Sequence, residues 1–181
     1  MELKQSNPKA FETIALALKS LSGLTGKVGW FPGAEYEDGT PVAYVAALNE
    51  VGHGSTPPRP FMRPTAIEEK KEWSSIAAQG SREVVKGRLT GEGVMEILTK
   101  KAEDDVAKTI TALTSPPLSP VTIEIRAMKK RNPDLKVTGA IVGQAAEKVK
   151  QPGYETPNVS VKPLNDSGHM INTLTHVVIK E

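Results

Sequence analysis

No cysteine occurs in the 181 residues, which excludes disulfides, thiolate metal sites and cysteine nucleophiles together. The same absence fits synthesis in a reducing cytosol. Aromatic residues reach only 4%, too few for base-stacking platforms. No apolar run approaches the length that spans a bilayer, so no membrane partner is expected, and the opening Met1-Glu2-Leu3-Lys4 does not read as a signal peptide. Excess charge is scarce as well: the net value of +2 does not by itself imply a nucleic-acid partner. The signatures GxSxG, P-loop and GxGxxG are all missing, and with them the usual marks of acyl transfer and nucleotide binding. With 38% hydrophobic and 24% charged residues, the chain reads as one soluble domain with a core of its own and no internal repeat.

What the chain does have is a stiff connector, Leu48 to Pro64. Gly52 and Gly54 can take the left-handed conformation that closes a helix after Val51. Pro57, Pro58, Pro60 and Pro64 hold the following backbone extended, each fixing its own φ and biasing the residue before it. Pro64-Thr65 then reopens a helix. Such a connector presents Arg59, Phe61 and Arg63 at fixed spacing, which suits a contact surface. Phenylalanine is usually buried, so packing of Phe61 beneath the loop is an equally weighted alternative.

Around the connector, Asn7-Pro8 reads as a capped helix start, followed by an apolar stripe of Phe11, Ile14, Ala15, Leu18 and Leu21 that ends at Gly23. Lys27–Phe31 reads as a short strand, and the turns Pro32-Gly33 and Asp38-Gly39 suggest a hairpin. Pro41–Val51, with Glu50 its only charge, predicts a helix largely buried, with a strand through Val42–Val45 as the competing reading. Thr65–Arg88 predicts one long helix with Ala66, Trp73, Ala77, Gly80 and Val84 on its apolar face. A second long helix follows Thr90, its stripe being Val94, Ile97, Leu98, Ala102, Val106, Ile110 and Leu113. Val121–Met128 alternates like a strand, yet Ser119-Pro120 equally opens a short helix. Residues 129–160 read as a basic projecting loop or insertion in which Gly139–Val149 could be helical. The carboxyl end reads as a capping Asn165-Asp166-Ser167-Gly168, a short turn, and a strand His176–Lys180.

Beyond carboxylates, His53, His169 and His176 are the metal-ligand candidates. Glu50 and His53 are three apart, and His169 could join them, but no HExxH or paired spacing is present and a hydrolytic zinc site needs three ligands and a base. No metal, cofactor or catalytic residue is therefore assigned. The run containing Arg126, Lys129, Lys130 and Arg131 has the sign of a surface beside a nucleic-acid path. A solvated loop is the plainer reading of it.

Two separated sets of motifs carry a resemblance. The first is Val45-Ala46-Ala47-Leu48-Asn49-Glu50-Val51-Gly52 followed by Pro58-Arg59-Pro60-Phe61-Met62-Arg63-Pro64. The second is Pro117-Leu118-Ser119-Pro120-Val121-Thr122-Ile123 with the later Lys162-Pro163-Leu164-Asn165-Asp166-Ser167-Gly168-His169-Met170. In this order they resemble the tail-completion and neck (head–tail joining) proteins of tailed bacteriophages, over roughly residues 42–128 and 162–178. Ser167 stands where threonine is usual, which keeps the hydroxyl. The resemblance implies a non-enzymatic virion protein, made in the host bacterial cytoplasm, that forms a homo-oligomeric ring, taken as a hexamer, at the head-proximal end of the tail. It implies neighbouring neck and tail proteins as partners, with passing DNA a further contact. A tail-terminator or minor tail protein is the near alternative, and a nucleic-acid-binding protein using residues 126–150 the distant one. The fold it implies is α+β, with a small, mostly antiparallel sheet packed with the N-terminal helix and two long central helices. Arg59, Phe61, Arg63, Glu50, His53, Asp166 and His169 are the expected protein-contact residues.

Overall fold

A computed structural model describes residues 8–54 and 56–180. The fold is α+β: among the described residues, eight helices surround a two-stranded antiparallel sheet. Helix α1, Pro8–Leu21, carries its proline at the first helical position, where no N–H is required. The cap expected from Asn7 lies outside the described residues. Gly23, with φ 72°, turns the chain into β1, Leu24–Gly29. That strand pairs with the last element, β2, Thr175–Lys180, from Leu24↔Lys180 to Gly29↔Thr175. It starts and stops earlier than the expected Lys27–Phe31, because Trp30 leaves the sheet to donate its indole N–H to the Met170 carbonyl at 2.7 Å.

A turn follows, with the Tyr36 N–H donated to the Thr40 carbonyl and a Glu35–Pro41 bridge. It leads into α2, Val42–Val51. This helix is less buried than its composition suggests. Val42 and Ala46 enter the core, while Ala43, Tyr44, Ala47 and Val51 face outward, since a single helix on the side of a core covers only one stripe. Gly52 (φ 78°) and Gly54 (φ 56°) both take positive φ after Val51, but Gly52 pairs it with an extended ψ of 157° rather than the left-handed helical conformation expected there.

The single helix expected over Thr65–Arg88 is two: α3, Met62–Glu68, and α4, Lys70–Val85. They answer to different anchors on α5, Gly91–Ala112. Thr65 Oγ1 lies 2.6 Å from Thr109 Oγ1, and the Trp73 indole N–H reaches the Asp105 carboxylate at 2.9 Å. Ala66 is exposed rather than part of the packed face. Helix α5 begins as expected, the Thr90 hydroxyl accepting the Gly93 N–H at 3.0 Å. Val94, Ala102, Val106 and Ile110 are buried, but Ile97 is exposed, because α4 and the sheet take the flanking sides of α5. Approach is close where glycine permits it. A Cβ on Gly80 would lie 2.5 Å from Val94 Cγ1, and one on Gly91 would lie 2.2 Å from the Ser20 carbonyl oxygen.

Ser119 resolves the two readings of the next segment in favour of helix. Its hydroxyl accepts the Thr122 N–H at 3.1 Å and opens α6, Pro120–Arg131. Helix α7, Gly139–Val149, packs on α6 with Ala145 buried. Glu124, also buried, accepts from Lys148 at 2.6 Å and Arg131 at 3.0 Å. Gly168 (φ 77°) then opens the short α8, His169–Asn172, before β2. The main core joins α2, α5 and the carboxyl-terminal segment: Val42, Ala46, Phe61, Val106, Ile110, Met170 and Leu174.

Candidate functional site

Glu50, at the end of α2, organises the start of α3. Its Oε2 accepts the N–H groups of Phe61 at 2.7 Å and Met62 at 3.0 Å, and its Oε1 accepts that of Arg63 at 3.1 Å. These are amides that a helix leaves without internal partners, and a carboxylate there is further favoured by the helix dipole. The Arg63 guanidinium closes the unit, Nε donating to Oε1 at 3.0 Å and Nη2 to the Glu50 carbonyl at 3.2 Å. Burial pushes the Glu50 carboxyl up, but the three amides and Arg63 together outweigh it and hold the group below its ordinary value.

The connector does not present Arg59 outward, contrary to the contact-surface reading, and of the two readings open for Phe61 the packed one holds. Phe61 is fully buried in the core and meets Trp30 edge to face, with centroids 5.8 Å apart. Arg59 is buried as well. Its Nε donates to the Pro116 carbonyl and its Nη2 to the Pro117 carbonyl, both at 2.9 Å. A guanidinium that leaves water must have its donors met, and a planar fork suits two neighbouring carbonyls. Of the three presented residues, Arg63 alone remains exposed, and it is tied to Glu50.

Arg126 makes the matching clamp on the other side. Its Nη1 donates to the carbonyls of Ser160 at 2.8 Å and Lys162 at 2.9 Å, and its Nε lies 3.4 Å from Asp166. Burial holds this guanidinium below its ordinary value, with Asp166 opposing the shift and Arg59 adding to it. The loop it grips includes fully buried Pro163 and Leu164, a non-glycine residue at φ 61°. Backbone strain of that kind persists only where surrounding contacts over-determine it. His169 lies beyond, Nε2 2.9 Å from the Glu35 carbonyl oxygen and its ring against Tyr36.

Glu50, Phe61 and Arg63 thus form one unit and Arg126 and Asp166 another, joined through the core and through Arg59. His53 stays apart, engaged through its backbone with Thr56. Glu50, His53 and His169 are not assembled as ligands, and no group of three or more His, Cys, Asp or Glu that could hold a metal occurs among the described residues. Of the basic run, Arg126 is spent on carbonyls and Arg131 on Glu124, whereas Lys130 reaches the Asn158 carbonyl at 3.3 Å. Lys129 and Lys130 are exposed beside Arg126, Asp166 and Ser167 in a shallow cleft of about 410 Å³.

Sequence reasoning missed Trp30 and the clamp made by Arg126. The available signal was the alternation Ile123-Glu124-Ile125-Arg126-Ala127, which sets two charges among apolar residues. Charges so placed must find partners inside the fold. Comparison with protein-family models, with curated proteins and with solved structures finds no match to this chain.

Proposed function

We propose that the protein is a non-enzymatic structural component of a tailed-bacteriophage virion, standing at the head-proximal end of the tail and helping to join tail to head. One observation carries this reading. The segments whose motifs resemble tail-completion and neck proteins are far apart in the chain, yet they meet in one buried lock. Arg59 of the first set grips the carbonyls of Pro117, where the second set begins, and of Pro116 just before it, and Phe61 shares a core with Met170 at the far end of the second set. Residues of one motif set that hold one another by specific hydrogen bonds are what a common architecture requires.

The chemistry of the lock supports the same reading. Glu50, Arg59 and Arg126 address backbone amides and carbonyls, which fixes loop geometry. That suits a part that must keep its shape within an assembly. The nucleic-acid alternative retains Lys129 and Lys130 but loses Arg126 and Arg131 to internal partners.

The test is genetic. In a phage that encodes this chain, a nonsense codon in its gene should leave filled heads and separate tails in a non-suppressing host, and supplying the protein should restore joined particles. Normal yields of infectious virions without the protein would overturn the proposal.

A further inference from the structure

Among the described residues, two apolar faces lack a cover. On α1, Phe11, Ile14, Ala15 and Leu18 fall on one side at helical spacing, but the helix rests on the domain through Ala17, Ser20 and Leu21. Phe11 is consequently 74% exposed and Leu18 55% exposed. On α2, the outward Ala43, Tyr44, Ala47 and Val51 form the second face, with Tyr44 56% and Val51 61% exposed. The only charge of α2, Glu50, is committed to the amides of α3. Contiguous apolar faces of this kind mark interaction surfaces.

The two faces sit toward opposite ends of α5. The last turn of α1 touches Gly91, at the start of α5. Val42 and Ala46 of α2 pack with Val106 and Ile110, about 25 Å further along at 1.5 Å per residue. One face can therefore cover the other only between copies. Contact between two different patches is head-to-tail, the type that closes rings.

Length and charge fix the direction. Phe11 to Leu18 spans about 10 Å and Ala43 to Val51 about 12 Å of helix. Exposed Glu35, Glu37 and Asp38 lie in the turn before α2, and Arg63 stands at the other end, held by Glu50. Along α1, Glu12 neighbours Phe11 and Lys19 neighbours Leu18. Laid antiparallel, Lys19 meets the acidic turn and Glu12 meets Arg63. A parallel arrangement would oppose like charges at both ends.

We infer that α1 of one copy docks antiparallel on the outer face of α2 in the next, with Phe11 toward Val51, Ala15 over Ala47 and Leu18 toward Ala43. The partner is a second copy of this chain. The inference rests on the ring-forming reading above for self-association, and not on where in a particle the ring stands.

Because the chain has no cysteine, introduced thiols report on the contact directly. Purified Ala15→Cys and Ala47→Cys chains, mixed and oxidised, should form the mixed disulfide, and the double variant should form a ladder of linked copies. Phe11→Lys should raise the concentration needed for self-association by about tenfold, the scale of one lost interface anchor. Leu16→Gln, on the opposite side of α1, should leave it unchanged. Both substituted residues are exposed, and far-ultraviolet circular dichroism verifies that each variant is folded. A disulfide between two Ala15→Cys chains would overturn the inference in favour of α1 pairing with itself. Oligomers that persist in Phe11→Lys without an Ala15–Ala47 link would overturn it while leaving the joining role intact. A chain that stays monomeric at every concentration would overturn it too, and the genetic test then decides the joining role separately.

Discussion

The Glu50 carboxylate accepts the backbone N–H of Phe61 at 2.7 Å, eleven residues along the chain, so the last turn of one helix caps the first turn of the next. This single relationship places Phe61 in the core and aims Arg59 at the carbonyls of Pro116 and Pro117. The stiff prolines between the helices limit the entropy lost in reaching that geometry.

Glu50→Gln should lower stability by about 1–3 kcal/mol in denaturant unfolding, as expected when a charged acceptor of several amides is neutralised. The same bonds hold the folded carboxyl below its ordinary value despite the opposing push of burial. The stabilisation is therefore present above the unfolded-state value, about 4.3, and is lost as pH falls through the lower folded value. Acid should destabilise the native chain over that window more than it destabilises Glu50→Gln. Parallel acid profiles would show that the carboxylate does not act as the cap.

Arg59 and Arg63 should separate sharply. Arg59→Lys cannot bridge two carbonyls as a planar fork does, and should cost about 1–3 kcal/mol. Arg63→Ala removes an exposed ion pair and should cost at most about 1 kcal/mol. Equal shifts in the denaturant midpoint would contradict the buried clamp.

His176 supplies a pH test at the sheet. Its Nδ1 lies 2.5 Å from Glu103 and its Nε2 3.3 Å from Glu96, with Lys100 also bonded to Glu103. The bond to Glu103 raises the histidine above its ordinary value, against a smaller opposing effect of burial. The contribution is present in full below the unfolded-state value of about 6.5 and is lost as pH rises through the higher folded value. Stability of the native chain should fall on raising pH through that window, and His176→Gln should flatten the dependence. The melting temperature at a series of pH values reads this directly.

Glycines should divide by their surroundings. Gly80→Ala places a methyl 2.5 Å from Val94 Cγ1 and should cost about 1–3 kcal/mol as overpacking between α4 and α5. Gly143, in α7, has open space where its Cβ would be, so Gly143→Ala should stabilise by up to about 1 kcal/mol through helix propensity. Unfolding midpoints of the two variants should move in opposite directions.

Much of the architecture was legible because local signals and packing agreed. The Thr90 cap, the buried positions Val94, Ala102, Val106 and Ile110, the glycines after Val51 and the strand before Lys180 follow from short-range chemistry. The break at Glu69 was not legible, since Thr65 and Trp73 are held by partners on α5 more than thirty residues away. Nor was the exposure of Phe11 and Leu18, because periodicity identifies an apolar face without saying whether this chain or another covers it. At the site, the connector was recognised and burial of Phe61 beneath it stood as an equal reading, but the inward turn of Arg59 was not foreseen. Stiffness and aromatic content are the same for a loop that projects and one that locks inward, and the carbonyls that Arg59 seeks lie far along the sequence.

The joining role is tested most directly by locating the chain in the particle. Gold-labelled antibody against this protein, applied to purified virions of a phage that encodes it and viewed by electron microscopy, should mark a single position per particle at the junction of head and tail. Particles without label, or label spread along the tail shaft, would contradict the account.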